Sequence, residues 1–232
     1  MALQEIQNMI SLNNIMVSQS YSTWIINIRD FSEYLSDIKG CLSEEEIERS
    51  NEISVERNKD LFCLRKGITR ILISSFLKMT PDELKYDYSI YGKPFISNSS
   101  CKNHSFNVSH SKEYLFIGIA KNKEIGVDIE KINSVFNYSL LVESVFSKEE
   151  KALFNNYDEL NKLYSFYKAW IQKEAISKAL GLGISIGFDK FSVDINPRTN
   201  DGEYDIYLEE LKCSTKVKVK FGKDYFLAVA LT

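Results

Sequence analysis

Ser111-Lys-Glu-Tyr-Leu-Phe-Ile-Gly-Ile-Ala120 and Gly222-Lys-Asp-Tyr-Phe-Leu-Ala-Val-Ala230 carry one pattern twice: a small residue, a lysine, an acid, a tyrosine, then an apolar run. A charged turn that opens into such a run reads as a hairpin entering a buried strand. The two tyrosines stand 111 positions apart. Leu42-Ser-Glu-Glu-Glu46 and Phe146-Ser-Lys-Glu-Glu150 form a second pair, with serines 104 positions apart. Both are capping boxes, a serine N-cap answered by a glutamate three residues on, so helices should start after Ser43 and Ser147. Each half also contains a helical amphipathic stretch, Arg65 to Ile73 and Trp170 to Leu180. Ahead of these helices lie two β-branched runs, Trp24-Ile-Ile-Asn-Ile28 and Ile125-Gly-Val-Asp-Ile129, which read as strands. Four matched segments in the same order predict an α+β chain of two pseudo-symmetric halves, residues 1–121 and 122–232, joined near Lys121 to Glu124. Each half should be a small antiparallel sheet packed on a long helix, and clefts between such halves commonly hold ligands.

Composition narrows the function. The 232 residues are 44% hydrophobic and 12% aromatic, enough for a packed core. A formal charge of -3 and a pI near 5.6 argue against general nucleic-acid binding, which needs a basic surface. An anionic ligand must then be held by a local cluster of cations. Cys41, Cys63, Cys101 and Cys213 show neither disulfide nor zinc spacing, which fits free thiols in a reducing compartment. The N-terminus has no signal-peptide pattern, and the apolar run Tyr225 to Leu231 is far short of the roughly 20 residues a membrane helix needs. The expectation is a cytoplasmic protein with no membrane and no nucleic-acid partner.

Ile125-Gly-Val-Asp-Ile-Glu-Lys131 sets carboxylates at i and i+2, on one face of the expected strand. Paired acids suit a hard cation such as Mg²⁺, which takes one or two carboxylates plus phosphate oxygens. They would equally suit a solvated strand end. Glu174 and Lys178 share a helix face with Trp170, and alone they read as a surface i,i+4 pair worth about 0.3–0.5 kcal/mol. Lys216, Lys218 and Lys220 alternate along one strand face, either as a docking patch for an acidic partner or as charges that block edge pairing.

Taken together the segments resemble the surfactin-type (Sfp-like) 4′-phosphopantetheinyl transferases. The carriers of the resemblance are Gly126-Val-Asp-Ile-Glu130 and the later set Trp170, Lys173, Glu174, Ala175, Lys178, Ala179 and Gly181. Tyr91-Gly-Lys-Pro94, Phe106-Asn-Val-Ser-His-Ser111 and Phe146 to Glu150 fall in the same order. The likeness runs from about residue 57 to the C-terminus. It implies the two-half fold of that family and transfer of phosphopantetheine from coenzyme A to a serine of an apo acyl, peptidyl or aryl carrier protein. It implies Asp128, Glu130 and Glu174 as ligands of Mg²⁺, with Mn²⁺ the other candidate. Ser109 and His110 would contact coenzyme A, His110 near its 3′-phosphate, with Lys93 and Pro94 bordering the adenine nucleotide. Arg65 would meet the 3′-phosphate, a role Lys59, Lys66 or Arg70 could share. Glu174 would be the general base, directly or through a water on the metal. Lys178, or else Lys173, would stabilise charge on the leaving 3′,5′-ADP. The carrier's apolar docking surface is expected around Val135 to Phe146, and a monomer is expected because each half has its partner in cis. Two other readings use the same residues: a Mg²⁺-dependent nuclease or phosphodiesterase, and a non-catalytic carrier-binding module.

Overall fold

A computed structural model describes residues 2–199 and 201–232. The chain opens with α1 (Ala2–Ser11), β1 (Asn14–Val17) and β2 (Tyr21–Asn27), then α2 (Leu35–Lys39), α3 (Glu44–Asn51) and the long α4 (Glu56–Leu77). A short hairpin follows, β3 (Tyr86–Tyr88) and β4 (Pro94–Ile96), and then β5 (His104–Ser111) and β6 (Tyr114–Lys121). The second half runs β7 (Ile125–Lys131), α5 (Val142–Val145), α6 (Lys148–Phe154), the long α7 (Glu159–Leu180), β8 (Gly202–Leu208), β9 (Cys213–Phe221) and β10 (Tyr225–Leu231). Both capping boxes form: Ser43 and Ser147 accept from the backbones of Glu46 and Glu150, whose carboxylates return to the serine N–H groups.

The strands make two antiparallel four-stranded sheets, ordered β1-β2-β6-β5 and β7-β10-β9-β8, so the chain changes sheet between Lys121 and Ile125. Alternation along β6 explains the layering. Leu115, Ile117 and Ile119 face α4 and pack with Ile68, Ile71 and Leu72, whereas Phe116 and Ala120 face the other sheet. There they meet Ile125, Val127 and Ile129 of β7 and Leu227 and Val229 of β10. The opposite face of β10, with Phe226, Ala228 and Ala230, packs under α7. Each sheet therefore has its own helix on one side and the other sheet on the other.

The duplicated turns meet. Tyr114 and Tyr225 lie with ring centroids 5.1 Å apart, and the Tyr114 hydroxyl donates to Asp224. Glu113 and Asp224, the acids at equivalent positions of the repeat, both bind Lys131, at 2.6 and 3.2 Å. The lysine row of β9 has a different setting from the one expected. β9 is an interior strand, paired with β8 and β10, and not an edge; Lys216 is neutralised across the sheet by Glu203 and Asp205. Among the described residues no helix is long and apolar enough to cross a membrane, and all four cysteines are free.

Candidate active site

β5 and β7 are the facing edges of the two sheets, and they are joined by side chains instead of a ladder. The residues on one face of β5 alternate Ser105, Asn107, Ser109, Ser111, as strand pleating requires. Ser105 donates to the Lys123 carbonyl at 2.7 Å, and Asn107 accepts the Val127 N–H at 2.9 Å. Ser109 donates to Asp128 Oδ1 at 2.7 Å, and Ser111 donates to Glu130 Oε2 at 2.8 Å while accepting the Lys131 N–H. This row fixes the register of β7 and with it both acids.

The third acid arrives on α7. Gly126 lets the helix lie directly on β7: a Cβ there would fall 2.0 Å from the Ala175 carbonyl oxygen and 2.3 Å from the Ala179 nitrogen. At that closeness Lys178 reaches Asp128 Oδ1 at 2.6 Å and Ser109 Oγ at 3.2 Å, and lies 4.0 Å from Glu174. Asp128 is 3% exposed, and its Oδ2 is buried without a hydrogen-bond partner. Burial raises the pKa of Glu174, with Asp128 adding to the rise and Lys178 opposing it. Burial likewise raises Glu130, against the Ser111 hydrogen bond. Glu130 and Glu174, which burial disfavours as anions, and Asp128, with its orphaned oxygen, form an all-oxygen donor set that fits Mg²⁺. Among the described residues they are not drawn into a tight three-ligand cluster, and the Lys178 ammonium lies 2.6 Å from Asp128 and 4.0 Å from Glu174.

Beside these acids, on the other face of β5, a cavity of about 350 Å³ opens between α4 and the β3–β4 hairpin. Arg65, Lys66, Tyr86, Pro94 and His110 line it. Arg65 donates one guanidinium N–H to the Lys112 carbonyl, and its buried Nε has no partner. Burial lowers the pKa of Arg65 and Lys66, and burial together with Arg65 lowers that of His110. Cations destabilised in this way favour an anion brought in beside them.

The structure therefore brings together Asp128, Glu130, Glu174, Lys178 and Ser109 on one side of β5, with Arg65, Pro94 and His110 on the other. Two residues expected at the site are elsewhere. Lys173 is fully buried and donates to Glu150 and to the carbonyls of Val145, Phe188 and Phe191, so it is a structural cation, not a stabiliser of leaving-group charge. One position along a helix turns a side chain by about 100°, which aims Lys173 into the core where Glu174 faces β7. Lys93 does not line the Arg65 cavity; its ammonium is held by Glu124 and the Ala179 carbonyl. On α4 the register resolves: Arg70 is tied to Glu46, Pro81 and Leu84, and Lys59 to Asn51, which leaves Arg65 and Lys66 facing the cavity. Ser111, Asn107 and Tyr86 went unremarked as site residues. The alternation of Ser, Asn, Ser and Ser at every second position is the signal for the first two, once the segment is read as a strand.

The chain is similar in sequence to known proteins. The family model described as the 4′-phosphopantetheinyl transferase superfamily matches residues 124–230, from β7 to β10. The 4′-phosphopantetheinyl transferase HetI of Nostoc sp. is 27% identical over 174 residues, 75% of this chain and 73% of that protein. The 4′-phosphopantetheinyl transferase ffp of Bacillus subtilis is 35% identical over 146 residues, 62% of this chain and 60% of its own length. The L-aminoadipate-semialdehyde dehydrogenase-phosphopantetheinyl transferase of Homo sapiens is 24% identical over 237 residues, covering 95% of this chain and 75% of that protein. With the matched region holding all three carboxylates and the helix that closes over them, the chain belongs to the 4′-phosphopantetheinyl transferase superfamily.

Proposed function

We propose that this chain moves the 4′-phosphopantetheine group of coenzyme A onto a serine hydroxyl of an apo acyl, peptidyl or aryl carrier protein, releasing adenosine 3′,5′-bisphosphate, in a Mg²⁺-dependent reaction. The observation that carries the reading is the Ser109–Asp128–Lys178 junction, which sets buried Asp128 and half-buried Glu130 and Glu174 beside a cavity walled by Arg65, Lys66 and His110. In this division of labour residues 1–121 supply the nucleotide side and residues 122–232 the acids.

Asp128, Glu130 and Glu174 would hold the metal, which when bound neutralises pyrophosphate charge that otherwise repels the incoming oxygen. The chain's own residues do the rest. Arg65 and Lys66 bind the anionic nucleotide end, with His110 beside them and Pro94 and Tyr86 as walls. Ser109 orients Asp128 through its hydroxyl, and Ser111 does the same for Glu130. Glu174, on the helix face turned to β7, takes the proton of the carrier serine. Lys178, held at the junction, offers its ammonium to charge building on the leaving phosphate.

The carrier would dock near the start of the Val135 to Phe146 stretch. Val135 is 85% and Leu140 83% exposed, whereas Val145 and Phe146 are core residues. We place the reaction in the cytoplasm, where free thiols persist, with a monomer as the working unit.

The test is direct. Incubation with coenzyme A, Mg²⁺ and an apo carrier protein should add one phosphopantetheine mass to the carrier, and Mn²⁺ in place of Mg²⁺ tells whether the metals are interchangeable. An unmodified carrier would overturn the proposal, and nucleotides released from DNA or RNA would replace it with a nuclease.

A further inference from the structure

The β3–β4 hairpin is a small ribbon that reaches the second half through hydrogen bonds of the Lys93 side chain. Its turn is well built: Ser89 N–H donates to the Lys93 carbonyl at 2.9 Å, and Gly92 N–H to the Ser89 carbonyl at 2.8 Å. Gly92 takes φ +80°, which glycine adopts without cost. The ribbon itself has only three residues per strand, and at its crown Ile90 is 92% and Tyr91 58% exposed. A two-stranded ribbon of that size is marginal without further support.

Lys93 supplies such support across the seam. Its Nζ donates to Glu124 Oε2 at 2.6 Å and to the Ala179 carbonyl at 2.9 Å. Ala179 lies in the last turn of α7, where carbonyls lack helical partners and the dipole favours a cation. Lys93 and Glu124 line a separate cavity of about 430 Å³, which shares Pro94 and Phe106 with the Arg65 cavity. The hairpin is thus a partition, with Pro94 as one wall of the nucleotide cavity and Lys93 as its fastening.

We propose that Lys93 is a positioning residue, a latch from the hairpin to Glu124 and the C-terminus of α7, which sets coenzyme A affinity by seating Pro94 and Tyr86 and does not touch the nucleotide. The affinity part rests on the coenzyme A reading of the Arg65 cavity. The latch part does not.

The whole chain is studied as Lys93→Met, Lys93→Arg, Glu124→Ala and the double variant Lys93→Met/Glu124→Ala. Without ligand, native-state chymotrypsin should nick Lys93→Met after Tyr91 about fivefold faster than wild type, because cleavage tracks the open population. Equal rates would overturn the latch. In steady state Lys93→Met should raise KM for coenzyme A about tenfold, the equivalent of about 1.4 kcal/mol. Its kcat and its carrier KM should stay within about twofold of wild type, and Lys93→Arg should recover most of the loss. Glu124→Ala should move the same parameter, and the double variant should be no worse than Lys93→Met, since both remove one link. A coenzyme A KM that rises in Lys93→Met but not in Glu124→Ala would mean direct contact with the nucleotide and overturn the proposal. A wild-type chain that binds no coenzyme A would remove the proposed function and the affinity claim together, with the nicking comparison still deciding the latch.

Discussion

Lys173→Met should cost stability and leave the chemistry in place, although Lys173 adjoins Glu174. The Lys173 ammonium donates to the Val145, Phe188 and Phe191 carbonyls at 2.8, 2.7 and 2.8 Å and to Glu150 Oε2 at 2.5 Å. Burial pulls its pKa down, and Glu150 opposes that. Methionine keeps most of the side-chain length but leaves a buried carboxylate and three carbonyls short of a donor. Removing one partner of a buried ion pair costs about 3–5 kcal/mol. Glu150 keeps the N–H groups of Ser147 and Val193, which places the cost near the lower end, about 3 kcal/mol. In a chain of this size that is a fall in Tm of about 6–12 °C. Circular-dichroism melts and urea titration measure it, with Glu150→Gln and the double variant completing a cycle whose coupling should be about 1–3 kcal/mol. Below its melting range the variant should modify carrier within about threefold of wild type, whereas Glu174→Gln should melt normally and be inactive. A Lys173→Met protein that melts with wild type and has lost catalysis would refute the reasoning.

Three further outcomes follow from the same geometry. Gly126→Ala should force β7 off α7, since the added Cβ meets helix backbone at 2.0 Å, and carrier modification should fall about 100-fold or more, with wild-type turnover as the refuting result. Arg65→Met should raise KM for coenzyme A and leave 3′-dephospho-coenzyme A unaffected; equal losses on both would take the 3′-phosphate away from Arg65. Glu130 and Glu174 have raised folded pKa values, so their protonated forms are favoured on folding. Their contribution to stability is present below the unfolded carboxylate pKa and is lost as pH rises through the folded values. Mg²⁺ with coenzyme A should therefore raise Tm more at about pH 7.5 than at about pH 5, and a shift independent of pH would count against these two acids as ligands.

The sequence revealed most where local rules decide the outcome. The capping serines, the Gly126–Glu130 strand and the placing of Glu174 and Lys178 on one helix face all rest on periodicity and hydrogen bonds within a few residues. What stayed hidden depends on distance in the fold. Lys173 and Lys178 look alike along the chain, and only the packing of α7 between the sheet and the α5–α6 segment sends one into the core and the other to Asp128. Lys93 stood in a motif that suggested nucleotide contact, yet its partner Glu124 is 31 positions away and belongs to the other half. The β9 lysines fit an edge strand until β8 arrives beside them.

The duplication also accounts for the pairing of a scaffold cation with a working acid. In the first half Glu46, the capping-box acid of α3, receives Arg70 of α4, which also binds the Pro81 and Leu84 carbonyls of the segment after that helix. In the second half Glu150, the capping-box acid of α6, receives Lys173 of α7, which also binds the Phe188 and Phe191 carbonyls after its helix. The same staple, a capping acid joined to a buried cation on the long helix and to the loop beyond it, holds both halves. It ties each long helix to the capping-box helix before it and to the segment after it. In the first half the residue after the staple is Ile71, a core residue; in the second it is Glu174. The halves thus share a device for tying down a long helix, and the second half has carboxylates on β7, the strand that the next helical residue faces. The close seat of α7 on Gly126 and the Lys178–Asp128 contact set how Glu174 meets Asp128, so Lys173 stabilises the half that carries the site while remaining outside its chemistry.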